Sequence, residues 1–224
     1  MSASPEMQPA AQAKAPSAPA MAARSALILI VFVAVFTGLL AAAYLRTKPA
    51  LEATALAEKT KLIDEVLPKT AYDNDPLKDA VQIAAVAALG LDEPSTVYRA
   101  RRAGEPAAAV VEAVAADGYS GRIRLLLAIA ADGTVLGVRV TEHRETPGLG
   151  DYIEPKKDKN KARPWISQFN GLSPATLSER DWRVKKDGGR FDSVAGATVT
   201  PRAVVKAVRK AALWVADNRE QVFQ

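Results

Sequence analysis

The stretch Asp192-Ser193-Val194-Ala195-Gly196-Ala197-Thr198-Val199-Thr200-Pro201 is a small-residue loop ending at a helix N-terminus, which reads either as a plain turn and cap or as a place for another molecule to approach. Its small residues permit close approach to the backbone. Thr200 and Pro201 read as the N-cap and first residue of a helix. That helix continues through RAVVKAVRKAALWVADN, where Val204, Val205, Val208, Ala211, Ala212 and Val215 form an apolar stripe. The open N–H groups of a first helical turn attract anions, phosphate above all. The hydroxyl of Thr198 would sit beside such a phosphate. About fifty residues upstream, Thr141–Glu154 (TEHRETPGLGDYIE) gathers His143, Glu145 and the turn-forming Gly148 and Gly150.

Composition removes most other chemistry. The 224 residues carry 30 Lys+Arg, 25 Asp+Glu, one His and no Cys. Thiolate-held clusters, disulfides and cysteine catalysis are excluded, as are sites built on several His ligands. No nucleophile–base pair suggests a hydrolase. The net charge of +5 is scattered, which argues against nucleic acid as a partner.

Four segments must position these residues. Residues 1–25, rich in Ala, Pro, Ser and Gln, are expected to be a disordered tail. Residues 26–45 hold no charge, and twenty residues at about 1.5 Å each reach about 30 Å, the thickness of a bilayer core. A transmembrane helix is therefore placed at 26–46, longer than the apolar core of a signal peptide. With no ionisable group, this span offers no ion pathway. The flanking charges do not fix its orientation. Residues 47–95 are expected to be a juxtamembrane helical segment: 51–67 have helical spacing up to Pro68, and the apolar 80–90 are ambiguous between strand and short helix. Residues 96–224 form the domain. Strands are expected at Thr96–Arg102, Ala107–Ala115, Gly121–Ala130 and Thr134–Glu142, with Asp132-Gly133 as a hairpin turn. Leu125–Ala130 is apolar on both faces and should be covered on both. Residues 155–163 (PKKDKNKAR) read as a solvated basic loop. Trp165, Phe169, Trp182 and Trp214 read as core.

Asp192–Thr198 resembles the flavinylation motif Asp-x-x-Ser/Thr-Gly-Ala-Thr of the FMN-binding domain family. Thr141–Glu154 resembles the stretch His-x-Glu-Thr-Pro-Gly-Leu-Gly-Asp-x-Ile-Glu of the RnfG branch of that family, which serves Rnf electron-transport complexes. The related NqrC branch, from the sodium-pumping NADH:quinone oxidoreductase, is usually longer. Ala195 stands where the family has Ser or Thr; the attachment oxygen is retained.

The resemblance implies an α+β fold: one N-terminal transmembrane helix, then a single FMN-binding domain whose mainly antiparallel sheet is flanked by helices. It implies FMN held covalently through its phosphate on Thr198. Asp192, Ala195, Gly196, Ala197 and Thr200 would complete the attachment motif, and His143, Glu145, Thr146, Gly148, Leu149 and Gly150 would line the flavin. Arg202 and Lys206 are placed by position to offset the phosphate charge. The implied role is an electron carrier in an Rnf-like complex that couples ferredoxin and NAD chemistry to ion movement. Its partners would be membrane and iron–sulfur subunits, a flavin transferase for maturation, and the lipid bilayer. The implied location is a bacterial inner membrane with the domain in the periplasm. The alternatives are a stand-alone anchored flavoprotein and a non-redox binding or scaffold domain with a vestigial motif.

Overall fold

A computed structural model of the chain describes residues 18–223. The tail expected at 1–25 lies outside the described residues up to position 17; from Ala18 the chain is helical. Helix α1 runs Ala18–Val66 and stops just ahead of Pro68. Its apolar stretch is fully exposed along its length, with Phe32 at 65% and Leu45 at 68%. It is long and apolar enough to cross a bilayer. The chain divides into two compact units, one ending at residue 55 and one beginning at residue 56.

The second unit is built on a five-stranded antiparallel meander. Its strands are β1 (Ala80–Ile83), β2 (Ser95–Arg102), β3 (Glu105–Gly118), β4 (Gly121–Ala130) and β5 (Val135–Glu142), in spatial order 1-2-3-4-5. The ambiguous stretch 80–90 thus resolves into β1 followed by a 3-10 turn at Ala87–Leu89. Side chains alternate across a strand, so β2, β3 and β4 each serve two cores. Leu125, Leu127 and Ile129 of β4 join Val111 and Ala113 of β3 on one face. Helix α2 (Val199–Asp217) buries Val204, Val208, Ala211 and Val215 against that face, and the short α3 (Arg219–Phe223) follows it. On the opposite face, Leu126, Ala128 and Val110 meet Ile63, Val66 and Leu67. This explains the two-sided apolar reading of β4.

An aromatic layer extends the first core beneath the loop at 192–198. Tyr152 packs edge-on against Trp165 at 5.7 Å, Trp165 against Phe169 at 5.5 Å, and Phe169 stacks on Phe191 at 4.7 Å. Trp165, Phe169, Trp182 and Trp214 are all buried, as expected of core residues. Trp165–Phe169 winds as a 3-10 turn, the tighter winding common in short connectors.

Candidate functional site

Two segments converge at the start of α2. The first is the loop Asp192–Thr198. Ala197 N donates to Val194 O at 3.0 Å, closing a four-residue turn whose third residue, Gly196, has φ +82°. Only glycine adopts that conformation without strain. Ala195 is therefore the exposed second residue of a tight turn. Tyr152 lies beneath: its hydroxyl donates to Ala197 O at 3.3 Å and accepts from Val194 N at 3.5 Å. Burial pushes its pKa up to about 12, so the hydroxyl keeps its proton at any physiological pH. Trp165 Nε1 donates to Asp192 O at 2.7 Å, and Asp192 N donates to Gln168 Oε1 at 3.0 Å. The Asp192 carboxylate pairs with Lys185 at 2.5 Å.

Thr198, not Thr200, is the N-cap residue of α2. This corrects the sequence reading, and the reason is tertiary. Thr200 lies inside the first turn, buried, with its hydroxyl donating to Glu145 Oε2, so it is not available to cap. Pro201 falls in the same turn, where a missing N–H costs nothing. Thr198 makes no side-chain capping bond, so its half-buried hydroxyl has no partner among the described residues. The N–H groups of Val199 and Thr200 also take no acceptor there. The positive end of the α2 dipole lies beside that hydroxyl.

The second segment is His143–Gly150. Glu145 is 4% exposed and joins three elements. Its Oε1 accepts from Ser120 N, in the β3–β4 turn, at 3.0 Å, and its Oε2 accepts from Thr200 in α2. Its own backbone N donates to His143 Nδ1 at 3.1 Å, which leaves the ring proton on Nε2, 3.5 Å from Glu154. His143 is thus a wall of the segment, its ring held at both nitrogens. Thr146 O accepts from Leu149 N and Gly150 N, and Gly148 N donates to Asp151 Oδ1 at 2.8 Å. A Cβ on Gly150 would stand 2.7 Å from Thr200 Oγ1 and 2.8 Å from Glu145 Oε2. Only glycine permits that approach of the segment to α2.

The surface so assembled is apolar. Beyond α1, the exposed large apolar side chains among the described residues are Tyr119 (70%), Leu149 (49%), Val194 (45%) and Val199 (41%). Leu149 and Val194 belong to the two convergent segments, Val199 opens α2, and Tyr119 precedes Ser120, which bonds Glu145. Exposed large apolar side chains on or beside both segments make this end of the unit the candidate ligand surface. Next to it, a cavity of about 270 Å³ is lined by Gly148, Tyr152, Asp192 and Val194, and by Lys157 and Arg163. The 155–163 segment is therefore not merely a solvated loop. Its Asp158 is buried, accepts from Trp165 N at 2.5 Å, and turns the flanking cations toward the cavity. The signal for this was a lone acid amid the cations, recognisable only with Trp165 in place.

Arg202 and Lys206 do not serve the anion site. Arg202 makes two bonds of 2.6 Å to Asp187, and Lys206 pairs with Asp117 at 2.8 Å. The Arg202 partner holds the Asp187 carboxyl below its ordinary range. Two helix N–H donors and the α2 dipole remain to meet an anion beside Thr198. The unpartnered hydroxyl and the N–H groups beside it have the chemistry for a phosphate anchor, and the exposed Leu149, Val194 and Val199 have the chemistry to receive an aromatic ring system.

Residues 118–213 match the FMN-binding domain model. The G subunit of the ion-translocating oxidoreductase complex of Pseudoalteromonas atlantica is 44% identical over 201 residues, covering 90% of this chain and 91% of that protein. Its counterpart in Pseudomonas aeruginosa is 45% identical over 89% of this chain and 91% of its own length. That of Vibrio cholerae is 42% identical over 89% and 92%. Among solved structures, Shewanella oneidensis NqrC shares 23% identity over 67% of this chain and 73% of that chain, with a TM-score of 0.42. On sequence identity over nearly its full length, the chain belongs to the family of G subunits of ion-translocating oxidoreductase complexes.

Proposed function

We propose that this chain is a membrane-anchored FMN electron carrier within an ion-translocating oxidoreductase complex, with the flavin joined to Thr198. The observation that carries the reading is the unclaimed Thr198 hydroxyl at the mouth of α2, where the two segments converge and Leu149, Val194 and Val199 are exposed. In this reading the transferase draws on a flavin dinucleotide: Thr198 Oγ1 gives up its proton and bonds the flavin-side phosphorus, the pyrophosphate P–O bond breaks, and the nucleoside monophosphate leaves with the electron pair. The α2 dipole and the N–H groups of Val199 and Thr200 face the remaining charge. Gly196 and Ala197 keep the turn small enough for the nucleotide to approach. Asp192 stays exposed for recognition by a flavin transferase. The ring system lies on Leu149, Val194 and Val199, with Gly148 and Thr146 shaping its edge. Glu145, Gly150 and Thr200 hold the two segments together without touching the ring. Bound flavin accepts one or two electrons and so links two-electron donors to one-electron carriers. The domain faces the periplasm of a bacterial inner membrane, and iron–sulfur and membrane subunits supply the electrons and the ion path. Covalent attachment removes dissociation as a route of loss outside the cytoplasm.

The test is co-expression with the flavin transferase, followed by denaturing electrophoresis under ultraviolet light and intact-mass measurement. The parent chain should fluoresce and gain the mass of one phosphoester-linked FMN, and Thr198→Val should do neither. A dark, unmodified parent chain, as a vestigial motif would give, or an equally bright Thr198→Val band, refutes the attachment.

A further inference from the structure

A second cavity, of about 360 Å³, opens between α2 and the loop at residues 179–187, and Thr198 is not part of its lining. Five cations surround it against two carboxylates, Glu179 and Asp187. Two of the cations are committed: Arg202 to Asp187 and Lys206 to Asp117. Arg209 reaches Glu179 only at 3.6 Å, and that glutamate side chain is 72% exposed, which makes a loose and screened pair. Arg183 and Lys210 form no ion pair among the described residues. Positive charge is thus concentrated on one small concavity and left largely unbalanced.

An independent feature lies in the same wall. Trp182 lines the cavity, is 4% exposed, and its Nε1–H is buried with no acceptor among the described residues. Buried indole N–H groups ordinarily find a partner, and one without a partner marks a place where an acceptor belongs. By contrast, the Nε1–H of Trp165 is satisfied by Asp192 O.

We propose that this cavity binds a small phosphate-bearing anion, held by Arg183, Arg209 and Lys210, with the Trp182 N–H as a further donor. Guanidinium forks match tetrahedral oxyanions, and an anion here meets three cations without displacing a tight ion pair. The volume is at the lower end for ligand sites, which suits a phosphorylated glycerol better than a nucleotide. The phosphate has two possible sources, a soluble ester or the headgroup of an anionic lipid. The site is separate from the flavin and stands or falls without it.

The experiment uses the full chain, labelled with ¹⁵N at its three tryptophans, in nanodiscs of phosphatidylcholine. Glycerol phosphate and inorganic phosphate are titrated against matched chloride. A second arm replaces part of the lipid with phosphatidylglycerol. The Trp182 indole signal should move downfield and saturate, in the first arm for a soluble ester or only in the second for a lipid headgroup. Arg183→Gln and Arg209→Gln should each weaken binding about tenfold, as expected for loss of one charge-assisted bond, and Arg122→Gln should leave it unchanged. A signal that does not saturate in either arm overturns the proposal. So does an equal response to chloride, or a titration unchanged in the Arg183→Gln, Arg209→Gln double variant.

Discussion

Replacing Glu145 by alanine removes one buried carboxylate and strands two donors, Ser120 N–H and the Thr200 hydroxyl. The buried Thr200 hydroxyl, left unsatisfied, costs about 1–3 kcal/mol, while Ser120 is exposed and its N–H can turn to water, so the loss should cost about 2–3 kcal/mol in all. For a domain of this size that corresponds to a fall of about 4–12 °C in melting temperature. Thr200→Val, nearly isosteric, removes one of the bonds and should cost about 1–2 kcal/mol by itself. Once the carboxylate is gone the hydroxyl has nothing left to lose, so the double variant should be little worse than Glu145→Ala alone. The coupling read from this cycle should then exceed about 1 kcal/mol, beyond the few tenths expected for independent sites. The assay is thermal unfolding of the full chain in detergent, followed by tryptophan fluorescence. Trp165 reports directly because it bonds the loop that α2 positions. Flavin fluorescence per chain should fall in Glu145→Ala although Thr198 is untouched. Additive effects, or a melting temperature within about 2 °C of the parent for Glu145→Ala, would refute the view that one carboxylate joins the three elements.

Further outcomes follow from other contacts. Tyr152 has its pKa raised from 10.0 to about 12, so its contribution is complete below pH 10 and is lost as pH rises toward 12. The parent should therefore lose stability over that window relative to Tyr152→Phe, and coincident melting curves from pH 9 to 12 would contradict this. At neutral pH, Tyr152→Phe should cost about 1 kcal/mol, because its two bonds at 3.3 and 3.5 Å are long. Gly150→Ala forces a methyl group within 3 Å of both Thr200 Oγ1 and Glu145 Oε2, and should destabilise by about 1–3 kcal/mol and dim the flavin band. A bright band with an unchanged melting temperature would show that the segments are not packed so closely. Because the chain has no cysteine, Ser178→Cys supplies a single thiol on the globular unit. An impermeant maleimide should label it from the periplasmic side of intact cells, and labelling only after lysis would reverse the proposed orientation.

Local pattern carried a large part of the fold. The uncharged run at 26–45 specified a span because length and apolarity are properties of the segment itself. The alternation in 121–130, and its two-sided apolar part, specified β4 and its covered position, because a strand shows its two environments in its own residues. Asp132-Gly133 marked the β4–β5 turn: Thr134 N donates to Asp132 Oδ1 at 2.9 Å and Gly133 has φ +85°. The convergence of the 141–154 and 192–198 segments was also legible, through the family motif.

What tertiary structure decided is where long-range partners stand. Thr200 looked like a cap and became the buried donor to Glu145, because a hydroxyl bonds whatever acceptor the fold brings to it. Arg202 and Lys206 stood one and two turns from the phosphate position by sequence, yet Asp187 and Asp117 claimed them. The cations of 155–163 turned toward the cavity because Asp158 is buried under Trp165 N, a contact set by the aromatic layer and not by neighbouring residues. Periodicity records which side of an element is dry; it holds no record of which distant atom will meet a given hydrogen or charge. Residue types and spacing thus determined the elements and the proposed attachment hydroxyl, while packing alone selected the partners that leave that hydroxyl unclaimed.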